Sequence, residues 1–423
     1  MNPRPRAGEG PFAALLAEPR GAPLALLQPC GAGMAELLTE PVDTLRVEGD
    51  AAALDGAFER LGAFLARHTQ YRCAGWLGYD LRDAVESLPR RIDDDLAMPS
   101  LFVGAFARMR RWPAALVPEV PAELQPSATA SAVRAHISRL AYEARVARVV
   151  EHIRAGDLFQ ANLTQPFTGE LDGDPRALFW RLCACSPAPF ASYVETGDGI
   201  AVLSSSPEEF LTRRGPIVRT RPIKGTRPRS DDAATDRALR QELLASDKDR
   251  AELAMIVDLM RNDLGKVAQP GTVRVGPFPE EASFAQVHHL FATVTATLRE
   301  DCDTAELLRA TFPPGSITGA PKLRCMEILE ELEVVRRGVY TGAVGVFGPG
   351  SRLSLNVAIR TMAVVDGVVR LNAGGGVTSD SVPASEYDET LHKAAGMLRA
   401  LRLDTVLPPG PSQRRGPQPR GAP

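Results

Sequence analysis

The chain has 423 residues, 44% hydrophobic and 24% charged, the profile of a globular protein large enough for a sizeable core in one elaborate domain or two. Its 49 basic and 52 acidic residues leave a net charge of −3, so no global positive field exists to recruit nucleic acid or an anionic membrane. The six cysteines (Cys30, Cys73, Cys183, Cys185, Cys302, Cys325) lack the usual zinc spacings and read as reduced packing or surface residues, which excludes a disulfide framework and suits a reducing compartment.

From the N-terminus, residues 1–11 are rich in Arg, Pro and Gly, without the apolar stretch of a secretory leader, and are expected to be disordered. No run reaches the roughly 18 apolar residues needed to span a bilayer, so a cytoplasmic location with no membrane partner is expected. An N-terminal region, residues 12–112, leads into a Pro/Ala-rich stretch at 113–131 that has no clear period and reads as a linker. Residues 132–407 carry the chemistry-bearing segments, and 408–423 have almost nothing to bury and are expected to be disordered.

Within that region, Leu253, Ile256, Val257, Met260 and Leu264 fall along one stripe of an amphipathic helix, and Leu391, Ala394, Ala395, Leu398 and Leu401 along another. Between them lie strand-like runs at Gly342–Phe347, Leu353–Val365 and Val368–Asn372, the last two joined by the short turn Asp366-Gly367. Strands and helices are mixed without the regular alternation of a doubly wound fold.

Each helix begins with two acids three residues apart: Asp249 with Glu252, and Glu386 with Glu389. Acids in a first turn suit the helix dipole, and Ser385 with Asp388 offers a cap for the second helix. The same spacing puts two carboxylates on one helix face, a donor set that magnesium accepts. Spacing alone does not choose between these readings. The glycine-rich turns Pro314–Lys322 and Ala373–Gly376 bring backbone N–H groups close to an anion or are simply tight turns; the first is not a nucleotide-binding loop, because Ala320 and Pro321 precede Lys322. Arg360, in a strand-like apolar run, needs an anionic partner if buried, whether an internal carboxylate or a ligand. Lys224, between Pro222 and Gly225, is either a solvated lysine or, if desolvated, a nucleophile. His289 reads as a proton-transfer group or as an ordinary core or surface histidine.

Together these segments resemble the chorismate-utilising enzyme family. The matching stretches are Gly156–Gln160, Ser204–Glu208, Arg221–Thr226, Lys248–Asp263, Val287–Leu290, Phe312–Lys322 and Asn372–Glu389, in the family's order, with a looser match at Gly75–Asp80. The resemblance implies an α+β, anthranilate synthase component I-like fold, with two large, roughly orthogonal antiparallel sheets packed as a sandwich and helices outside. It implies Mg²⁺ held by Glu252 and Glu389, with Asp249 and Glu386 acting through waters. It also implies an enolpyruvyl carboxylate held by Arg360 and Tyr340 with the backbone at Gly374 and Gly376, and Gly225, Thr226 and His289 near the C4 hydroxyl, His289 as candidate proton donor.

Two positions discriminate among the family's reactions. Members that add water carry a lysine where this chain has Gln160, and members that make anthranilate typically carry alanine where this chain has Lys224. The implied reaction is therefore replacement of the C4 hydroxyl of chorismate by an amine to give 4-amino-4-deoxychorismate, through a Lys224 adduct at C2. Alternatives within the family are formation of anthranilate or of 2-amino-2-deoxyisochorismate; outside catalysis, a silent scaffold homologue is opposed by the intact acids, Lys224, Arg360 and His289. No cysteine sits in the Gly-x-Cys-x-Gly setting of a glutamine amidotransferase, so ammonia is expected from a separate amidotransferase subunit. The segment Cys185–Phe190 departs from the family's usual tryptophan-binding pattern, and since only the tail follows residue 402, the product is expected to stop short of pyruvate removal.

Overall fold

The computed structural model describes residues 10–28, 30, 33–88, 92, 95–114, 128–283 and 287–410. Most of the expected linker, all but two residues of the expected N-terminal disordered segment, and residues 411–423 of the expected tail lie outside them. Pro113 ends one strand and Ala128–Ser131 open the next, so both ends of the linker expected at 113–131 are strand instead.

Among the described residues, hydrogen bonding runs unbroken through 17 strands, antiparallel at every strand pairing. The hinge is the strand Leu24–Leu27, which pairs on one side with Met34–Val47 and on the other with Phe190–Glu195. From Met34–Val47 one sheet continues through Leu101–Pro113, Arg72–Leu77, Ala343–Gly348, Arg352–Val357, Glu209–Arg214 and Ile217–Arg221 to Val294–Thr297. From Phe190–Glu195 the other continues through Ile200–Ser206, Thr361–Val365 and Val368–Val377 to Gln160–Gly173.

The strands read as continuous apolar runs because both faces are covered. Trp76, Phe102, Val202 and Ala363 point into a core shared by the two sheets. Their neighbours Leu77, Leu101 and Val103 pack under the helices of the first sheet, and Leu203, Met362 and Val364 under those of the second. The period-2 alternation of a strand thus feeds two cores at once, and the layers run helix, sheet, sheet, helix. The α+β sandwich holds. Among the described residues no helix is long and apolar enough to cross a membrane.

Both amphipathic stripes are helices, Asp247–Gly265 and Pro383–Ala400, with Leu253, Ile256, Met260, Ala394 and Leu398 buried. The first is capped by Ser246, which accepts from the N–H of Asp249. The second is not capped by Ser385: it starts at Pro383, whose fixed φ suits a first helical position, after Val382 as N-cap. Asp388 instead pairs with Arg139.

The run Leu353–Val365 is not one strand. It breaks between Val357 and Thr361, where Arg360 adopts φ +50°. Carbonyls on this break are taken by the N–H groups of Thr341 and Ser205, so contacts from distant segments override the local strand pattern. The Asp366-Gly367 turn has φ of +49° and +82°, the left-handed pair that a tight hairpin requires.

A separate three-stranded sheet, Ile223–Pro228, Val287–Phe291 and Glu280–Ser283, stands beside the sandwich. It carries Lys224, Thr226 and His289.

Candidate active site

Between the small sheet, the heads of the two helices and the Asn372–Gly376 stretch lies a cavity of about 810 Å³. Lys224, Gly225, Thr226, Asp249, Glu252, His289, Tyr340, Arg360, Gly374, Gly376, Glu386 and Glu389 all line it, so the residues singled out from sequence come together from seven separate segments.

Lys224 and Thr226 are brought into the cavity by a bulge. Pairing of their strand with Val287–Phe291 slips by one residue between them, at Gly225, whose φ is +77°. A β-carbon there would also press on Leu243 at 2.9 Å and Asp249 at 3.0 Å, so glycine is required twice over. Thr226 Oγ1 lies 2.9 Å from His289 Nδ1. Burial, aided by the charge of Arg360, lowers the His289 imidazole to about 4, so it is neutral at pH 7.

Lys224 is half-buried and lines the cavity. Burial lowers its pKa, while the carboxylates of Glu252 and Glu208 pull the other way. A β-carbon on Gly376 would stand 3.6 Å from Lys224 Nζ and 1.9 Å from Gln160 Nε2. The glycine opens the space in which the lysine amine faces a ligand.

The four acids face the same space from two helices. Burial raises Glu252, and the Lys224 charge opposes the rise. Burial raises Glu386, whose Oε1 accepts from Ser381 at 2.6 Å. Burial pushes Glu389 up too, but Lys393 at 2.6 Å holds it below its ordinary value. Asp249 lies 3.4 Å from the Arg227 guanidinium.

Among the described residues no three His, Cys, Asp or Glu side chains converge as a closed metal cluster. The set nevertheless fits a hard cation of the magnesium type, which takes one or two carboxylates and fills its shell with water and substrate oxygens. Its donors are all oxygens, and Glu386 Oε2 is buried with no hydrogen-bond partner among the described residues.

Arg360 is largely enclosed, and burial lowers its pKa. Its side chain forms no ion pair among the described residues, so the internal pair open from sequence is not formed and the guanidinium faces the cavity. Tyr340 is buried on the same wall, its phenol pushed up by burial.

Glu208 was passed over in the sequence. It lies between two strands, 4% exposed, and lines the cavity. Burial raises its carboxyl to about 7 against hydrogen bonds from Ser316 and the Ile223 N–H and the charge of Lys224. The only local signal is an acid directly after Pro207, which in isolation looks like a turn.

Behind the cavity, Arg337 donates to Asn162 O at 2.6 Å and Ile317 O at 3.2 Å and forks onto Glu333 at 2.8 and 2.9 Å. Glu333 in turn accepts from the N–H and hydroxyl of Thr164. One buried ion pair thus fixes two segments that line the site.

A family model for chorismate binding enzymes matches residues 23–399. Over 345 residues, 77% of this chain and 76% of the relative, the sequence is 41% identical to aminodeoxychorismate synthase component 1 of Klebsiella aerogenes. Over 268 residues, 63% of this chain and 52% of the relative, it is 46% identical to anthranilate synthase component 1 of Streptomyces coelicolor. The crystal structure of anthranilate synthase component I from Streptococcus pneumoniae superposes with a TM-score of 0.75 at 27% identity, covering 87% of this chain and 92% of that one.

Proposed function

The chain belongs to the family of chorismate-binding enzymes, and on that premise we propose that it converts chorismate and ammonia to 4-amino-4-deoxychorismate. The observation that carries this reading is the Lys224 amine, desolvated in the cavity wall beside Gly376 and so biased toward its neutral, nucleophilic form.

In the proposed reaction Lys224 Nζ forms a bond to C2 of the ring, the two ring double bonds shift, and the C4–O bond breaks. The leaving hydroxyl takes a proton and departs as water. Ammonia then adds at C4, the double bonds shift back, and the C2–N bond breaks to return the lysine. Glu208 is the better proton donor to the hydroxyl: with its pKa near 7 it is partly protonated at neutral pH, whereas His289 is neutral and orients Thr226. Arg360 and Tyr340 take the enolpyruvyl carboxylate, with the backbone at Gly374 and Gly376 alongside. Glu252 and Glu389, with Asp249 and Glu386, would hold Mg²⁺, which when bound polarises the ring carboxylate as a Lewis acid. Ammonia from glutamine comes from an amidotransferase subunit, in keeping with the "component 1" naming of the Klebsiella relative. A cytoplasmic site and a role in 4-aminobenzoate and folate synthesis complete the proposal.

The second reading is formation of anthranilate, favoured by the 46% identity to the Streptomyces anthranilate synthase component. One experiment separates the two: the purified chain with chorismate, Mg²⁺ and ammonium salt, with and without an aminodeoxychorismate lyase, analysed by chromatography and mass spectrometry. 4-Aminobenzoate only with the lyase supports the first reading. Anthranilate without it replaces that reading by the second.

A further inference from the structure

The helix Pro383–Ala400 places Glu386, Glu389 and Lys393 at intervals of three and four, on one face. Over Gly375 the two carboxylates converge: a β-carbon there would stand 2.8 Å from Glu386 Oε2 and 3.5 Å from Glu389 Oε1. Glu386 is 7% exposed, and its Oε2 is the partnerless oxygen. Lys393 reaches the same spot, its Nζ 2.6 Å from Glu389 Oε1 and donating to Gly374 O at 2.9 Å.

A divalent cation that used Glu386 Oε2 and Glu389 Oε1 together would need the oxygen that the ammonium holds. Two cations cannot share that position without strong repulsion. We propose that Lys393 is a displaceable counter-cation of the carboxylate site, which competes with the divalent ion for Glu389 and thereby sets a ceiling on its affinity. The lysine is free to leave: its side chain is 46% exposed and also lines an adjoining cavity of about 280 Å³. Displacement frees a positive charge beside the cavity, available to an anionic ligand that arrives with the metal. The inference rests on reading the four acids as a cation site.

The test uses Mn²⁺ as the probe, with free ion counted by electron paramagnetic resonance on the full chain without chorismate. Lys393→Gln is expected to bind Mn²⁺ about two- to fivefold more tightly, the scale of a half-exposed ion pair, and Lys393→Arg to bind no more tightly than the unsubstituted chain. Lys248→Gln makes the same change in net charge at the same cavity, but its ammonium is 3.9 Å from Glu252 and 64% exposed and holds neither Glu386 nor Glu389, so its gain should be clearly smaller than that of Lys393→Gln. Equal or weaker binding by Lys393→Gln, or an equal gain in Lys248→Gln, overturns the competition and leaves the cation site standing. No binding by any of these proteins at millimolar Mn²⁺ overturns the cation site, and the inference with it.

Discussion

Gly376 and Lys224 are neighbours in the cavity wall: the position of a β-carbon on the glycine is 3.6 Å from the lysine Nζ, and 1.9 Å from the Gln160 amide. Gly376→Ala therefore displaces the buried Gln160 side chain and fills the space against the amine. Displacement of a reacting group by about 1 Å costs on the order of 10²-fold in rate, so kcat/KM should fall by about that much with little change in Tm. Gly374→Ala differs, because its β-carbon meets the Leu163 carbonyl of the neighbouring strand at 2.5 Å. It should lower Tm as well, and thermal melts beside steady-state rates with ammonium separate the two.

Lys224→Ala removes the amine to which the C4 substitution is assigned. Aminodeoxychorismate formation should drop below detection, with any residual product being anthranilate. Product analysis by mass spectrometry reads this directly, and an unchanged product at an unchanged rate would remove the covalent route.

Both positions stand out in the sequence, Gly376 in a glycine run and Lys224 between Pro and Gly, and both line the cavity; the roles proposed for them come from the resemblance, not from the local pattern. The sandwich was legible only through resemblance, since strands buried on both faces lose the alternation that marks a strand with one wet side. Arg360 was read inside a strand because nothing near it in the chain announces the N–H groups of Thr341 and Ser205 that break it. Glu208 carries no role in the sequence reading for the same reason: the groups that hydrogen-bond it, Ser316 and the Ile223 N–H, come from other segments.

Arg337 and Glu333 form a pair whose side chains are 2% and 5% exposed. Arg337→Ala leaves Glu333 as a buried, uncompensated charge and releases the Asn162 and Ile317 carbonyls, which should cost about 3–5 kcal/mol. Denaturant unfolding measures it. Replacing both residues by apolar ones of similar size should recover part of the loss, an outcome that a simple packing defect at Arg337 would not give.

Glu252→Gln keeps the shape of the carboxylate but withdraws its charge from the set formed with Glu389. The Mg²⁺ concentration for half-maximal turnover should rise at least about tenfold, the scale on which even outer-shell losses weaken metal sites. A magnesium titration of the rate checks it, and an unchanged midpoint would remove Glu252 from the metal set.

Glu208 ties activity and stability to the same proton. Its carboxyl is raised to about 7 in the folded chain from an ordinary 4.5, chiefly by burial. Between these values the folded state holds a proton that the unfolded state has released, so stability falls as pH rises from about 4.5 to 7, by an amount on the order of 3 kcal/mol. The proton donor is lost over the upper end of the same range, so kcat should decline as pH passes above about 7. Glu208→Gln should erase the stability difference, flattening its pH profile relative to the unsubstituted chain, and lower kcat by about 10²–10⁴ through loss of the acid. Paired denaturant titrations and rate profiles from pH 5 to 9 measure both effects. A decline in kcat above pH 7 that persists unchanged in Glu208→Gln would assign the proton to another group.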